Sequence, residues 1–164
     1  MKVSAGILLY RRRAGRLEVL VGHHGGPYHR GRDLGAWTIP KGELEDPAEE
    51  LLAVARREFA EETGHDPPGG TPIDLGSTVQ KGGKVVHAWG LEGDLDAAEA
   101  VSNTYELEWP PGSGRLEVFP ELDRVEWFEP DLARRKLKDA QAVFVDRLEE
   151  ALAVEPGPDG IAEG

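Results

Sequence analysis

Three glutamates and an arginine near the middle of the chain have the types and spacing of a cation-binding site. Glu58, Glu61 and Glu62 follow Arg57 directly. At 100° per residue on a helix, Glu58 and Glu62 lie about 40° apart, with Glu61 about 60° to one side of Glu58. Like charges on one helix face repel, and each costs desolvation energy if it is buried unpaired. This face therefore requires a positive charge.

Two kinds of cation fit the requirement. Arg57 lies four residues before Glu61 and can pair with it, but one guanidinium does not neutralise three acids. Carboxylate oxygens suit a hard divalent cation, Mg²⁺ or Mn²⁺. The alternative is an ordinary acidic helix end that pairs with Arg56 and Arg57. The angles alone leave both interpretations open.

The helix that carries these acids has clear end signals. Asp46 as N-cap, Pro47 at the first position and Glu49 at capping-box spacing predict a start near Pro47, and Gly64 predicts an end after Thr63. The apolar positions fall on one broad face: Leu51, Leu52, Val54, Ala55 and Phe59. Glu58 and Glu62 fall inside that sector and Glu61 at its edge, so two of the acids are expected to be buried.

The segment from Gly42 to Gly64 resembles the Nudix box, Gly-x5-Glu-x7-Arg-Glu-U-x-Glu-Glu-x-Gly-U, where U is a bulky apolar residue. Arg57-Glu58-Phe59-Ala60-Glu61-Glu62-Thr63-Gly64 matches its second half position by position. Two places depart from the pattern: six residues separate Gly42 from Glu49, and His65 occupies the last apolar place. The extra residue falls in the loop before the helix, where an insertion costs little.

The resemblance implies hydrolysis of a diphosphate linkage in a nucleoside diphosphate joined to another moiety. It implies Mg²⁺, or Mn²⁺, held by Glu58 and Glu62, by Glu61 as a third or outer ligand, and by the carbonyl of Gly42. Arg57 would orient the acids, and Glu49 would complete its ion network. An alternative on the same fold is a nucleotide-binding or sensing module without turnover, against which the intact set of acids argues.

Further candidates lie outside the box. Family members often place one more acid late in the chain, as metal ligand or base, and we rank Glu121 before Glu126 and Glu108. Lys41 could contact a phosphate, although a solvated lysine is an equal alternative. Trp89 or Tyr105 could stack on a base, whereas most such aromatic residues belong to the core.

The remaining sequence alternates strand-like runs with Gly- and Pro-rich loops. Strands are expected at 3–10, 17–21, 37–40, 73–80, 84–91, 101–109, 116–121 and 125–128, with helical segments at 131–138 and 139–154. The loop from Gly22 to Ala36 contains His23, His24 and His29 and could close over a substrate; a zinc site there lacks ordered ligand spacing. These elements predict an α/β/α sandwich with a mixed β-sheet, similar to the Nudix fold.

Composition limits the class of protein. A chain of 164 residues with 39% hydrophobic residues fits one domain, expected over residues 1–154, with a disordered tail at 155–164. A formal net charge of −12 disfavours a nucleic-acid duplex or an anionic membrane as partner. The absence of cysteine excludes disulfides and thiolate zinc sites, and no apolar stretch approaches the ~20 residues of a membrane span. A cytoplasmic protein is expected, and a homodimer is left open.

The substrate is less well defined by the sequence. In the family, a Pro or Tyr some sixteen residues after the box marks two of the subgroups, but this chain has Gln80-Lys81-Gly82 there. The approach Trp37-Thr38-Ile39-Pro40-Lys41-Gly42 is similar to bacterial members of nucleoside-polyphosphate type. The expected substrate is therefore a small nucleotide, with a nucleoside triphosphate or dinucleoside polyphosphate favoured.

Overall fold

The computed structural model describes residues 2–154, and in this range nine strands and three helices form. The strands are β1 (Val3–Arg13), β2 (Arg16–His24), β3 (Trp37–Thr38), β4 (Lys41–Glu43), β5 (Ile73–Val79), β6 (Val85–Glu92), β7 (Thr104–Glu108), β8 (Leu116–Pro120) and β9 (Leu122–Phe128). The helices are α1 (Leu51–Thr63), α2 (Pro130–Lys136) and α3 (Ala142–Val154). The tail expected to be disordered, 155–164, lies outside the described residues.

Seven of the strands form one mixed sheet. Its main path runs β3-β2-β1-β6-β5, with β4 paired to β1 and β9 paired to β2. The β1 and β6 strands are parallel, whereas every other described pairing of named strands is antiparallel. Strands β7 and β8 form a separate hairpin. Strands β1 and β2, and strands β5 and β6, are each consecutive in the chain and pair antiparallel.

A helical layer covers each face of the seven-stranded sheet. Consecutive side chains of a strand point to opposite faces, so the apolar run in β1 supplies both cores. Ile7 and Leu9 pack with Val54 and Phe59 of α1. Leu8 packs in the second cluster, which draws on α2 and α3 through Ala133, Phe144, Val145 and Leu148. The predicted α/β/α sandwich with a mixed sheet is thus confirmed.

The predicted start of the first helix is wrong by four residues. Helix α1 begins at Leu51, and Glu50 precedes it without a side-chain cap. Asp46 accepts a hydrogen bond from the Ala48 amide (2.9 Å), and the Glu49 carboxylate accepts from the Asp46 amide (3.1 Å). These are the reciprocal bonds expected of the capping signal, but they close a separate turn. The predicted end is correct, since Gly64 has φ +77° and its amide donates to Ala60.

Pairing between distant segments accounts for the other differences. The loop expected to begin at Gly22 begins after His24, because His23 pairs with Trp37 and His24 with Leu122. The short strand β4 was not predicted, and it forms by pairing Gly42 with Ala5. The strand expected at 101–109 covers only 104–108, in the separate hairpin.

Candidate active site

The last turns of α1 carry the three box acids at different depths, as the helix angles predicted. Glu62 is 8% exposed. The side chain of Glu58 is 12% exposed, and that of Glu61 is 44% exposed. Packing of Val54, Ala55 and Phe59 against the sheet holds this face inward, so the same apolar stripe that anchors the helix draws two carboxylates beneath the surface.

Glu62 is the most strongly perturbed carboxyl group of the cluster. Burial, together with the nearby charges of Glu58 and Glu121, raises its pKa to about 8, although the hydrogen bond from the Lys41 amide opposes the rise. Its Oε1 accepts one hydrogen bond, from the Lys41 amide at 3.2 Å. The charge of Lys41 only partly offsets the burial of Glu62, so the neutral acid is favoured, whereas binding of a further positive charge would favour the carboxylate.

Glu58 lies directly against the backbone of the strand that precedes the helix. A Cβ on Gly42 would overlap the Glu58 carboxylate, so only glycine allows this approach. Pairing of Gly42 with Ala5 fixes the strand at that point. Burial and then the charge of Glu61 raise the pKa of Glu58, while Arg57 opposes both. The box glycine and the first box acid are therefore in contact despite the extra residue between Gly42 and Glu49.

Arg57 joins the predicted ion network. Its Nη1 donates to Glu49 Oε2 at 2.6 Å, its Nη2 lies 3.6 Å from Glu58, and its Nε lies 3.9 Å from Glu61. Hydrogen bonds from Arg57 and from the Asp46 and Glu45 amides lower the pKa of Glu49 to about 2. Arg57 Nη2 is buried without a hydrogen bond. Glu49 thus holds one end of the guanidinium while the other end faces the acids.

Glu121 is the late acid that the fold brings to the cluster. It follows β8 at the turn into β9, where its amide donates to the Asn103 carbonyl (2.9 Å) and the Asn103 amide donates to the Glu61 carbonyl (2.8 Å). These bonds tie the turn to the end of α1. Burial raises the pKa of Glu121, and Lys41 lowers it.

Glu126, the second late candidate, is not brought to the acids. It lies on β9 opposite Val21 and accepts a hydrogen bond from Arg124 at 2.9 Å. Arg124 in turn stacks over Trp37, in the core on the α2 and α3 side of the sheet. Glu108, the third, binds the Gly114 amide within the β7–β8 hairpin. The geometry favours Glu121.

Lys41 lies at the centre of the site's electrostatics. Burial lowers its pKa, while the charge of Glu62 opposes this effect and that of Lys84 adds to it. Among residues 2–154 it has no ion pair. The charged form of Lys41 is therefore stabilised by a neighbouring acid and destabilised by a second lysine.

The two aromatic candidates have different surroundings. Tyr105 donates to the Gly25 carbonyl at 3.1 Å, and burial followed by the charge of Glu121 raises its pKa, which places it beside the late acid. Trp89 stacks on His87, with ring centroids 4.4 Å apart, and packs in the apolar cluster beneath α1. The core interpretation thus fits Trp89 better than Tyr105.

Two of the three histidines between residues 23 and 29 lie near a lysine that no sequence motif marks. His23 Nδ1 lies 3.0 Å from Asp123 and its Nε2 lies 2.7 Å from the Arg32 carbonyl, so both nitrogens are engaged within the fold. His24 and His29 stack on each other at 4.7 Å. Lys138, 97 positions after Lys41 in the chain, acts electrostatically on both. No local pattern marks Lys138, because only the tertiary fold brings it here.

The donor set fits a divalent cation. Buried or half-buried carboxylates and the Gly42 backbone offer oxygen ligands only, which is the chemistry of Mg²⁺ and Mn²⁺. Within the described residues, no three His, Asp or Glu side chains already converge on one point. Arg57 lies between the acids in this arrangement.

Gly42→Ala is expected to displace the Glu58 carboxylate, because the new Cβ would overlap it. We expect at least about a tenfold loss of turnover, of the size that misplacing a catalytic group produces. Gly69→Ala is the matched control, since a Cβ there meets nothing within 4 Å. Steady-state kinetics on both variants, with thermal unfolding to verify folding, checks this prediction. Equal turnover in the two variants would show that the contact is unimportant.

Comparison with known proteins agrees with this architecture. A family model, the NUDIX domain, matches residues 1–148. An Ap4A hydrolase from C. elegans, solved as a binary complex, superposes with a TM-score of 0.64 at 23% identity, covering 93% of this chain and 98% of that one. The NUDIX domain of Shewanella oneidensis NrtR, complexed with ADP ribose, gives 0.62 at 16% identity, covering 92% and 87%. A mutT/nudix family protein from Listeria innocua gives 0.60 at 16% identity, covering 93% and 94%. No curated protein matches the chain.

The α/β/α sandwich and the acids at the end of α1 agree with the family model that matches the chain. The chain belongs to the Nudix family. The family match and the Nudix hydrolase neighbours support a pyrophosphohydrolase. Within residues 2–154, no helix has the length and apolar character needed to cross a membrane.

Proposed function

We propose that the chain is a Mg²⁺-dependent hydrolase that cleaves a diphosphate linkage in a nucleoside triphosphate or dinucleoside polyphosphate. One observation carries the proposal: at the end of α1, Glu62 is buried and Glu58 is half-buried, and Arg57 is the cation that contacts Glu58. Lys41, buried and without an ion pair among residues 2–154, lies next to them. A metal and a phosphate chain would together neutralise all three groups.

We assign the metal ligands to Glu58, Glu62 and the Gly42 carbonyl, with Glu61 as a third or outer ligand. When bound, Mg²⁺ supplies positive charge that neutralises the diphosphate oxygens and acidifies the attacking water. Arg57 lies 3.6 Å from Glu58 and 3.9 Å from Glu61 and orients both acids, and Glu49 holds Arg57 in place. These residues are held in position before the substrate binds. Charges that are already oriented stabilise the transition state without the cost of rearranging during the reaction.

Glu121 is our candidate for the base that takes the proton of the attacking water. Its partial burial raises its pKa, which makes the carboxylate a better proton acceptor near neutral pH. Its position on a turn that is hydrogen-bonded to Asn103 and Gly25 limits its movement. Lys41 is the candidate for holding a phosphoryl oxygen as a point charge. Tyr105 is the better candidate to stack on a base, and Trp89 the weaker one.

Two neighbours suggest different substrates, an Ap4A hydrolase and a domain bound to ADP ribose. We favour a polyphosphate over a diphosphate because the site combines Lys41 with further lysines beyond the acids. Non-catalytic nucleotide sensing is the alternative. A cytoplasmic location and a homodimer stay predictions.

A substrate panel tests the proposal. The purified chain is incubated with Mg²⁺ and nucleoside triphosphates, dinucleoside polyphosphates or ADP ribose, and released phosphate, pyrophosphate and mononucleotides are separated. Turnover of a polyphosphate that stops on chelation of Mg²⁺ is the expected result. Tight nucleotide binding with no cleavage of any compound would overturn the hydrolase and favour the sensor.

A further inference from the structure

A lysine cluster extends the site away from the box acids. Lys138 lines a cavity with His29, which stacks on His24 at 4.7 Å. Burial, followed by the charges of Lys41 and Lys84, lowers the pKa of Lys138 to about 8. The backbone at Lys138 is fixed, because its amide donates to the Trp37 carbonyl at 2.9 Å and its carbonyl accepts from the Gln141 amide at 2.8 Å. Lys138 is therefore held at this place by the fold.

The charge on Lys138 is not compensated by the protein. The chain has 31 acidic against 19 basic residues, yet among residues 2–154 neither Lys138 nor Lys41 has an ion pair. By contrast Lys136, two residues earlier, contacts Asp33 at 2.6 Å, and Lys84 lies 3.5 Å from Glu43. Withdrawing an ammonium group from water without a counter-charge is costly, so a partly buried Lys138 with no ion pair in an acidic protein indicates that an external anion binds there.

Two imidazoles complete the polar surroundings. His24 Nε2 and His29 Nδ1 are buried and lack hydrogen-bond partners within the described residues. Burial, followed by the charge of Lys138, lowers the pKa of His24 to about 3. Buried polar nitrogens are ordinarily hydrogen-bonded, so two stacked rings with free nitrogens beside a lysine point to a ligand that is hydrogen-bonded there.

Lys138 lines two cavities that are large enough for a ligand. Lys138 lines a cavity of about 610 Å³ together with Leu34, Gly35, Gln80, Lys81 and Asp139. It also lines a neighbouring cavity of about 420 Å³, to which His29 and Arg32 contribute. Asp139 lines the larger cavity, and Asp33, which is paired with Lys136, lines the smaller one. The cations of the two cavities are Lys81, Arg32 and Lys138. This volume is within the range of pockets that hold small-molecule ligands.

We propose that Lys138, with Lys41 and the His24–His29 pair, binds the phosphate groups of the substrate that lie beyond the scissile linkage. The Glu121 carbonyl accepts a hydrogen bond from the Gly25 amide at 3.0 Å, and the next residue back, His24, stacks on His29. Because His29 and Lys138 line the same cavity, a phosphate chain that leaves the acids along the two histidines reaches Lys138. The assignment rests on the proposed hydrolase function and narrows its substrate to compounds with three or more phosphates. A nucleoside diphosphate linked to a sugar places its two phosphates at the acids and leaves Lys138 unused.

The test compares Lys138→Met with Arg12→Met as the control. Arg12 is an exposed cation on β1. It lies six residues, or about 20 Å, beyond Gly6, which pairs with Lys41. Arg12→Met therefore removes one positive charge at a distance from the site. Inorganic tripolyphosphate binding is measured by calorimetry in chelator, without metal. In parallel, KM and kcat with Mg²⁺ are measured for a dinucleoside tetraphosphate and for ADP ribose.

We expect Lys138→Met to weaken tripolyphosphate binding about tenfold or more and to raise KM for the tetraphosphate similarly, with little change for ADP ribose. Arg12→Met should change neither. Unchanged tripolyphosphate binding in a folded Lys138→Met protein overturns the subsite, whether or not the chain hydrolyses nucleotides. Weaker tripolyphosphate binding in a chain that cleaves nothing keeps the subsite and removes the hydrolase function. An equal loss for the tetraphosphate and ADP ribose overturns the phosphate-length selectivity.

Discussion

Replacing Glu58 or Glu62 by glutamine is expected to lower Mg²⁺-dependent turnover by well over about tenfold while leaving the protein folded. Glutamine keeps the size of each side chain, and at Glu62 it can still accept the Lys41 amide hydrogen bond. What it removes is the negative charge that a divalent cation requires. The loss should therefore appear in kcat at saturating substrate, and raising Mg²⁺ should recover part of it.

The control for these variants is Glu150→Gln on the exposed surface of α3. Glu150→Gln also removes one negative charge, but from the helical layer on the opposite face of the sheet. This variant should keep full turnover. Steady-state kinetics over a range of Mg²⁺, with circular dichroism for folding, makes the comparison. Near-normal turnover in Glu58→Gln or Glu62→Gln would refute the ligand role of that residue.

The second large effect concerns stability without metal. The folded-state pKa of Glu62 is about 8, above the ordinary glutamate value of 4.5. A raised pKa means that folding favours the protonated acid, so its contribution is fully present below about pH 4.5 and is lost as pH rises through about 8. Glu62→Gln has no such proton to lose. In chelator, the variant should be more stable than the original chain, by up to about 3 kcal/mol near pH 7, at roughly 1.4 kcal/mol per pKa unit.

Chemical denaturation of both proteins from about pH 4 to pH 9 in chelator measures this difference. The gap should close at the acidic end, and Mg²⁺ should reverse the order at neutral pH, because only the original chain gains metal binding energy. A gap of the same size at every pH would show that Glu62 is not held in an environment that favours its neutral form.

The box helix illustrates what a sequence can predict. A 3.6-residue period places Phe59, Glu58 and Glu62 on one face of any helix with this sequence. The prediction that this face turns Glu58 and Glu62 inward depended on that period alone, and their exposed fractions are 12% and 8%. The helix start was wrong because the capping residues are equally able to close a free turn, and a local pattern does not distinguish the two outcomes. The extra residue before Glu49 was absorbed in that turn.

Features that depend on pairing between distant segments were harder to predict. The sequence ranked Glu121 before Glu126, but the contacts that separate them, which are the register of β9 and the hydrogen bonds through Asn103, are contained in no local pattern. Strand β4 is three residues long and exists because Gly42 meets Ala5. Lys138 is remote in sequence from Lys41 and stands in no motif, so its place beside His24 and His29 emerges only from the folded chain.

Proton release on Mg²⁺ binding tests the central claim, that Glu62 with Glu58 holds the metal, most directly. With a pKa of about 8, Glu62 is mostly protonated at pH 7 and must ionise to bind a cation. Calorimetry in buffers of different ionisation enthalpy should therefore show release of about one proton per Mg²⁺ bound near pH 7, a release that Glu62→Gln abolishes together with most of the affinity. Mg²⁺ binding with no proton release, or with equal affinity in Glu62→Gln, would contradict the assignment.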